Sequence, residues 1–159
     1  MSDALPTEVT ILTDVNVLAI GLTDNHPAHD DVFPWIQRAL DGPNTLLVFD
    51  YYPLRAQYLM VDQFGVEPTA ARNAVQSLIQ SPARIVSATA TTLLTAYEIS
   101  ADKNHDVYDT FLLALADDTD ADHLLTTDTD FADLCDGEPV SYVNPVPDDK
   151  RTRLARIDG

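Results

Sequence analysis

Short apolar runs alternate with longer amphipathic stretches along most of this chain. Five of the runs read as strands: 8–13, 45–49, 84–88, 123–126 and 140–143. They are short and mostly apolar, as strands covered on both faces of a parallel sheet tend to be. The stretches between them carry helical spacing. Residues 29–40, HDDVFPWIQRAL, put Val32, Trp35, Ile36 and Leu40 on one face. Helical patterns follow at 54–63 and 68–79, divided near Gly65 and Pro68, and again at 89–100 and 108–117. Gly42-Pro43-Asn44 predicts a turn before the second strand, and Asp24-Asn25-His26-Pro27 predicts a loop. The alternation predicts a three-layer α/β domain with a central, mostly parallel five-stranded sheet. No repeat or low-complexity linker divides it. The expected boundaries are one domain over 1–147 and a short basic tail over 148–159.

Composition narrows this picture. A chain of 159 residues that is 45% apolar fits one folded domain with a sizeable core. Its formal charge is −17, from 26 acidic and nine basic residues, and the acids run along nearly the whole sequence. Such a surface suits a high-salt cytoplasm, where screening weakens self-repulsion. It argues against strong nonspecific binding to nucleic acid, but leaves room for a small metal-bearing site that faces phosphate. Four of the nine basic residues, Lys150, Arg151, Arg153 and Arg156, fall in the tail. That tail reads as a solvated end, or as a contact for RNA phosphate or an acidic neighbour. The one cysteine, Cys135, excludes an intrachain disulfide and a multi-cysteine zinc site. No signal peptide and no membrane span are expected, so the location predicted is cytoplasmic.

The chemistry lies in the placement of aspartates. Asp14 follows the apolar run VTILT, and Asp128 and Asp130 follow LLTT. Parallel α/β sheets bind ligands beyond the carboxyl ends of their strands. The spacing of Asp128 and Asp130 by two turns both toward one site if the backbone there is extended. Asp109 lies near a helix start, whose positive end favours an ionised carboxylate. Taken singly, each of these acids reads as surface charge or a helix cap. Gathered, they would repel one another and raise one another's pKa. Mg²⁺ or Mn²⁺, one ion or two, removes that cost through hard oxygen ligation. Phosphodiester hydrolysis is the chemistry such a site serves.

The stretches TDVNVLA (13–19), YDTFLLALA (108–116) and LLTTDTDF (124–131), with Asn144-Pro145 later, resemble the PIN-domain family, and within it the VapC-like toxins. The resemblance covers roughly residues 8–146. It implies a PIN-like fold and a metal-dependent endoribonuclease that leaves a 3′-hydroxyl and a 5′-phosphate. The matching catalytic and metal-binding acids are Asp14, Asp109, Asp128 and Asp130, with Asn16 and Thr127 orienting the first and third. It also implies an RNA substrate, a small antitoxin as protein partner and a homodimer. The chain departs from the family after the second strand, where a helix generally carries a Glu. Here the region LLVFDYYPLRAQYLM holds Pro53, Arg55 and Gln57 instead. Asp50 is the nearby acid and the candidate substitute metal ligand.

Other residues read more simply. His105 and His123 form no ligand pair and read as hydrogen-bonded or exposed. Tyr51, Tyr52 and Tyr58 could stack on RNA bases, although core packing and a strand-to-helix junction explain them too. Trp35 anchors the first predicted helix or a dimer face. Asp117 and Asp118 read as surface, and Cys135 as structural. Three function classes follow. The first is a nuclease, as the toxin of a toxin–antitoxin pair. The second is a degenerate PIN-like domain that binds RNA or protein without cutting. The third, another metal-dependent phosphatase or phosphotransferase, lacks support from any Gly-rich nucleotide loop.

Overall fold

The computed structural model describes residues 8–149. All five predicted strands form: β1 (Thr10–Thr13), β2 (Thr45–Phe49), β3 (Arg84–Val86), β4 (His123–Leu125) and β5 (Ser141–Val143). Every pairing is parallel, and the order across the sheet is β3-β2-β1-β4-β5. The central strand β1 lies between two neighbours. Leu12 is in register with Leu47 of β2 on one side and Leu124 of β4 on the other.

The strands bury both faces, as their apolar character requires. Ile11, Leu46, Val48 and Leu125 join one core. Leu12, Leu47 and Leu124, pointing the opposite way, join a second. Helices α1 (Val15–Gly21), α2 (His29–Ala39), α3 (Tyr52–Asp62) and α4 (Pro68–Gln80) supply the first core with Leu18, Ile36, Met60 and Val75. Helix α6 (Val107–Asp118) and the short α7 (Phe131–Leu134) supply the second with Leu112, Leu115, Phe131 and Leu134. Helix α5 (Ala90–Lys103) packs outside α6 and buries only Thr92 and Ala96. The result is three layers around a five-stranded parallel sheet, as predicted.

The details refine the expectation. Strands β1, β3, β4 and β5 are shorter than read from sequence, while α3 and α5 begin or run further. Helices α1 and α7 were not expected. On α2, Val32 and Ile36 are buried, while Trp35 and Leu40 are half-buried against the same core. The turn before β2 contains Gly42 at φ +57, a left-handed conformation that glycine adopts without strain. Gly21 ends α1 where α2 crosses it. A Cβ there would lie 2.3 Å from the Ile36 Cδ1 atom, so the tip of the Ile36 side chain fills the space that a larger residue at 21 would need. Among the described residues no helix is long and apolar enough to cross a membrane. The predicted basic tail, apart from Asp148 and Asp149, lies outside the described residues.

Candidate metal centre

Asp14 is the residue directly after β1. Its amide donates to the Leu125 carbonyl at 2.9 Å, which carries the β1–β4 pairing one step beyond the strand. Its side chain caps α1: Oδ1 accepts the Val15 amide at 2.7 Å. Its other oxygen, Oδ2, accepts the Thr126 hydroxyl at 2.7 Å. Thr126 is fully buried, and its Oγ1 also accepts the Asp128 amide at 3.1 Å. One hydroxyl thus links the first acid to the backbone of the third. The resemblance assigned this role to Thr127. The Thr126 amide still pairs with the Val143 carbonyl at 3.1 Å beyond the end of β4, while the Thr127 carbonyl accepts the Asn144 side-chain amide.

Asp128 and Asp130 converge, but not through extended backbone. The chain turns after Thr126, and Asp128 Oδ1 accepts the Asp130 amide at 2.9 Å. This side-chain turn folds the two carboxylates together. Asp109 arrives from the first turn of α6, capped by Asp106, whose Oδ1 accepts the Tyr108 amide at 2.8 Å. Carboxylate oxygens of Asp109, Asp128 and Asp130 lie within 4.8 Å of one another. Asp109 and Asp128 are half-buried, and Asp130 is exposed. Asp14 stands beside this group rather than within it. Asp50 is outside it: exposed at the end of β2, its Oδ2 accepts the Ser87 hydroxyl at 2.8 Å.

The electrostatics record the crowding. Burial raises the Asp14 carboxyl above its ordinary range and the Asp128 charge adds to this, against the lowering by Thr126 and the Val15 amide. Asp109 is pushed up to about 6, first by burial and then by Asp128, Asp106, Asp14 and Asp130. The nearby phenol of Tyr52 is held well above its usual range by burial and by the charges of Asp14 and Asp109. It is therefore a neutral hydroxyl beside the acids.

The donor set suits a hard divalent cation. Octahedral Mg²⁺ sets neighbouring oxygens about 3 Å apart and opposite ones about 4 Å apart, and each of the three carboxylates offers an oxygen within 4.8 Å of the others. Asn16 supplies a second observation. Its Oδ1 is buried without a hydrogen-bond partner among the described residues, and Asn16 lines the same cleft as Asp14 and Asp109. A hydrated cation brings the hydrogen-bond donors that this atom lacks. Soft ligands are absent from the group. Cys135 is buried in the second core, and burial raises its thiol to about 11. His105 is half-buried before α6, and His123 begins β4, whereas the carboxylates follow that strand's end.

The acids open into a cleft of about 870 Å³. Phe49, Tyr52 and Phe111, which line it, meet edge to face with centroids 5.3 and 4.9 Å apart. Sequence reasoning missed Thr126, whose signal was a hydroxyl directly after an apolar strand, and treated Tyr52 only as a packing or stacking group. Tyr52 does pack, but Tyr51 and Tyr58 are exposed. Asp117 and Asp118 are exposed, as expected.

The sequence matches the family described as PIN domain over residues 11–137. No curated protein matches it. Two solved structures share its fold. The sarcin–ricin loop-cleaving toxin VapC20 of Mycobacterium tuberculosis superposes with a TM-score of 0.63 at 16% identity, over 78% of this chain and 94% of that one. VapBC2 from Rickettsia felis, bound to a DNA fragment from its promoter, gives 0.62 at 14% identity, over 85% and 98%. At these identities the likeness is one of fold.

Proposed function

The chain belongs to the PIN-domain family, and from that premise we propose that it is a divalent-metal-dependent endoribonuclease acting as the toxin of a toxin–antitoxin pair. The observation that carries this reading is the meeting of Asp109, Asp128 and Asp130 from separate parts of the chain, with Asp14 beside them. Asp109, Asp128 and Asp130 would hold Mg²⁺ or Mn²⁺, and Asp14 would complete the acidic face. Once bound, the ion would stabilise negative charge on the phosphoryl oxygens and lower the pKa of a coordinated water. The chain's own residues do the rest. Thr126 fixes Asp14 and the Asp128 backbone together, so the carboxylates keep their spacing before any ligand arrives. Tyr52, held neutral, offers a hydroxyl close to the acids without adding a negative charge. The remaining features of this reading are a small antitoxin partner, a homodimer and residence in a high-salt cytoplasm. VapC20 is described as cleaving the sarcin–ricin loop, which makes structured ribosomal RNA a reasonable first substrate.

A specific observation favours a second reading. Helix α3 brings no acid toward the cleft, Arg55 lines it instead, and Asp50 is bound to Ser87. A site with fewer acids serves a PIN domain that binds RNA or protein without cutting. The two readings part in one experiment. Structured and unstructured RNA are incubated with folded wild type and Asp109→Asn in high KCl with Mn²⁺. Cleavage by wild type alone supports the nuclease. No cleavage of either RNA by either protein favours the binding domain.

A further inference from the structure

The cleft that leads to the carboxylates has a wall unlike its floor. Tyr51 precedes α3 and Arg55 lies one turn later, so both occupy one face of that helix. Leu93 and Tyr97 share a face of α5 in the same way. Tyr108 lies in the first turn of α6, next in sequence to Asp109. All five line the cleft with Asp14 and Asp109. The rings are open to solvent: Tyr108 is 81% exposed, Tyr97 63% and Tyr51 55%. Single exposed aromatics are ordinary on protein surfaces. Three around one opening, above a group of carboxylates, form a platform.

Arg55 is the one cation among the lining residues. Its guanidinium lies 5.2 Å from the centre of the Tyr58 ring, and no ion pair joins it to a carboxylate among the described residues. On a chain of charge −17, a cation without a carboxylate partner beside a cleft is available to an anion from outside. Guanidinium groups match phosphate geometry through their planar donors. Aromatic faces accept any base that is not already stacked.

We propose that this wall is a subsite for unpaired nucleotides, with Arg55 receiving a backbone phosphate and Tyr97, Tyr108 and Tyr51 receiving base faces. The inference rests on the nuclease reading for its substrate, and it adds a selectivity: RNA whose bases are free. A duplex has no free base face to offer the rings, so it gains only the phosphate contact. Leu54, Tyr58 and Leu94 are also exposed but do not line the cleft, and they are no part of this subsite.

Binding is tested apart from cleavage. A fluorescently labelled single-stranded oligoribonucleotide and its duplex are titrated by anisotropy in EDTA at several KCl concentrations. The proteins are wild type, Arg55→Gln and the double variant Tyr97→Leu with Tyr108→Leu. These side chains are exposed, and circular dichroism checks that each protein is folded. Wild type is expected to prefer the single strand by about tenfold, as one or two stacked bases would give. Arg55→Gln is expected to weaken binding about fivefold for both RNAs and to reduce the salt slope by about one. The double variant is expected to lose the preference for the single strand. Equal affinity for the two RNAs in wild type, or an unchanged preference in the double variant, overturns the proposal. So does a wild-type dimer, seen by light scattering, that the double variant alone dissociates while RNA binding is unaltered; the rings would then meet protein. Mn²⁺-dependent cleavage is read separately. Cleavage unchanged in all variants removes the subsite and keeps the nuclease. Single-strand preference without any cleavage keeps the subsite and removes the nuclease.

Discussion

Two strand ends in this molecule are built almost alike. After β1, the Asp14 amide bonds to the Leu125 carbonyl and its carboxylate accepts the hydroxyl of the next residue, Thr126. After β2, the Asp50 amide bonds to the Val86 carbonyl and its carboxylate accepts the hydroxyl of the next residue, Ser87. Both clasps tie neighbouring parallel strands just beyond their last pair. They differ in what surrounds them. Asp14 is half-buried and feels the charge of Asp128, and Asp109 in turn feels the charge of Asp14. Asp50 is exposed and belongs to no acidic group among the described residues. An aspartate with a hydroxyl partner at a strand end is therefore a structural device first. It stands beside an acidic group only where a helix start and a turn bring further acids near it.

The comparison breaks most visibly in catalysis. Under the nuclease reading, Asp14→Asn and Asp109→Asn are expected to lower Mn²⁺-dependent RNA cleavage by at least the roughly tenfold to hundredfold that loss of a metal site's supporting groups costs. Gel assays at matched folding check this, and equal cleavage by either variant removes that residue from the site. The hydroxyls come next. Thr126→Val takes a donor from the half-buried Asp14 carboxylate and is expected to cost about 1–3 kcal/mol of stability. Ser87→Ala leaves Asp50 to water and is expected to stay within about 0.5 kcal/mol. Urea unfolding of both variants decides whether the two clasps differ as described.

A smaller effect concerns pH. The folded Asp109 carboxyl titrates near 6 and its ordinary value is 3.8. A folded value above the unfolded one means the stability is fully present below about pH 4 and is lost as pH rises through 6. The metal-free protein should therefore lose stability over this window. Asp109→Asn should flatten that part of the profile, by about 1 kcal/mol after solvent screening is allowed for. Thermal melts in EDTA from pH 4 to about pH 7, for wild type and variant in parallel, test the difference; identical slopes would contradict the crowding. The smallest effect belongs to Asp50→Ala, which should leave both the Mn²⁺ titration and turnover unchanged. A clear loss of either would make Asp50 the substitute for the missing Glu.

The fold was legible because each strand is an apolar run and each helix that crosses the sheet shows a face. Helix α1 escaped because VNVLAIG is buried along most of its length, so no polar face marks its period. Helix α7 escaped because a four-residue helix is too short for periodicity to register. The meeting of Asp109, Asp128 and Asp130 was foreshadowed by their positions after a strand and at a helix start. How they meet was not. Two residues of spacing fit an extended chain and a turn equally well, and the Asp128 side chain selected the turn. The role of Thr126 was not legible, because two neighbouring threonines follow β4 and their spacing does not say which hydroxyl faces Asp14. The exposure of Tyr51 and Tyr97 depended on packing between helices distant in sequence, which no local pattern records.

Gly21 and Ile36 carry a consequence for how this sequence can drift. Asp14 caps one end of α1 and Gly21 closes the other, roughly 10 Å away. The size of the residue at 21 and the size at 36 are one shared quantity, since the Ile36 tip occupies the place of a missing Cβ. Enlarging position 21 alone would displace the Ile36 tip into another rotamer or press it on α1. Alanine at 21 is accommodated most easily beside a shorter side chain at 36. Two positions with no chemistry of their own would then tend to drift as a pair.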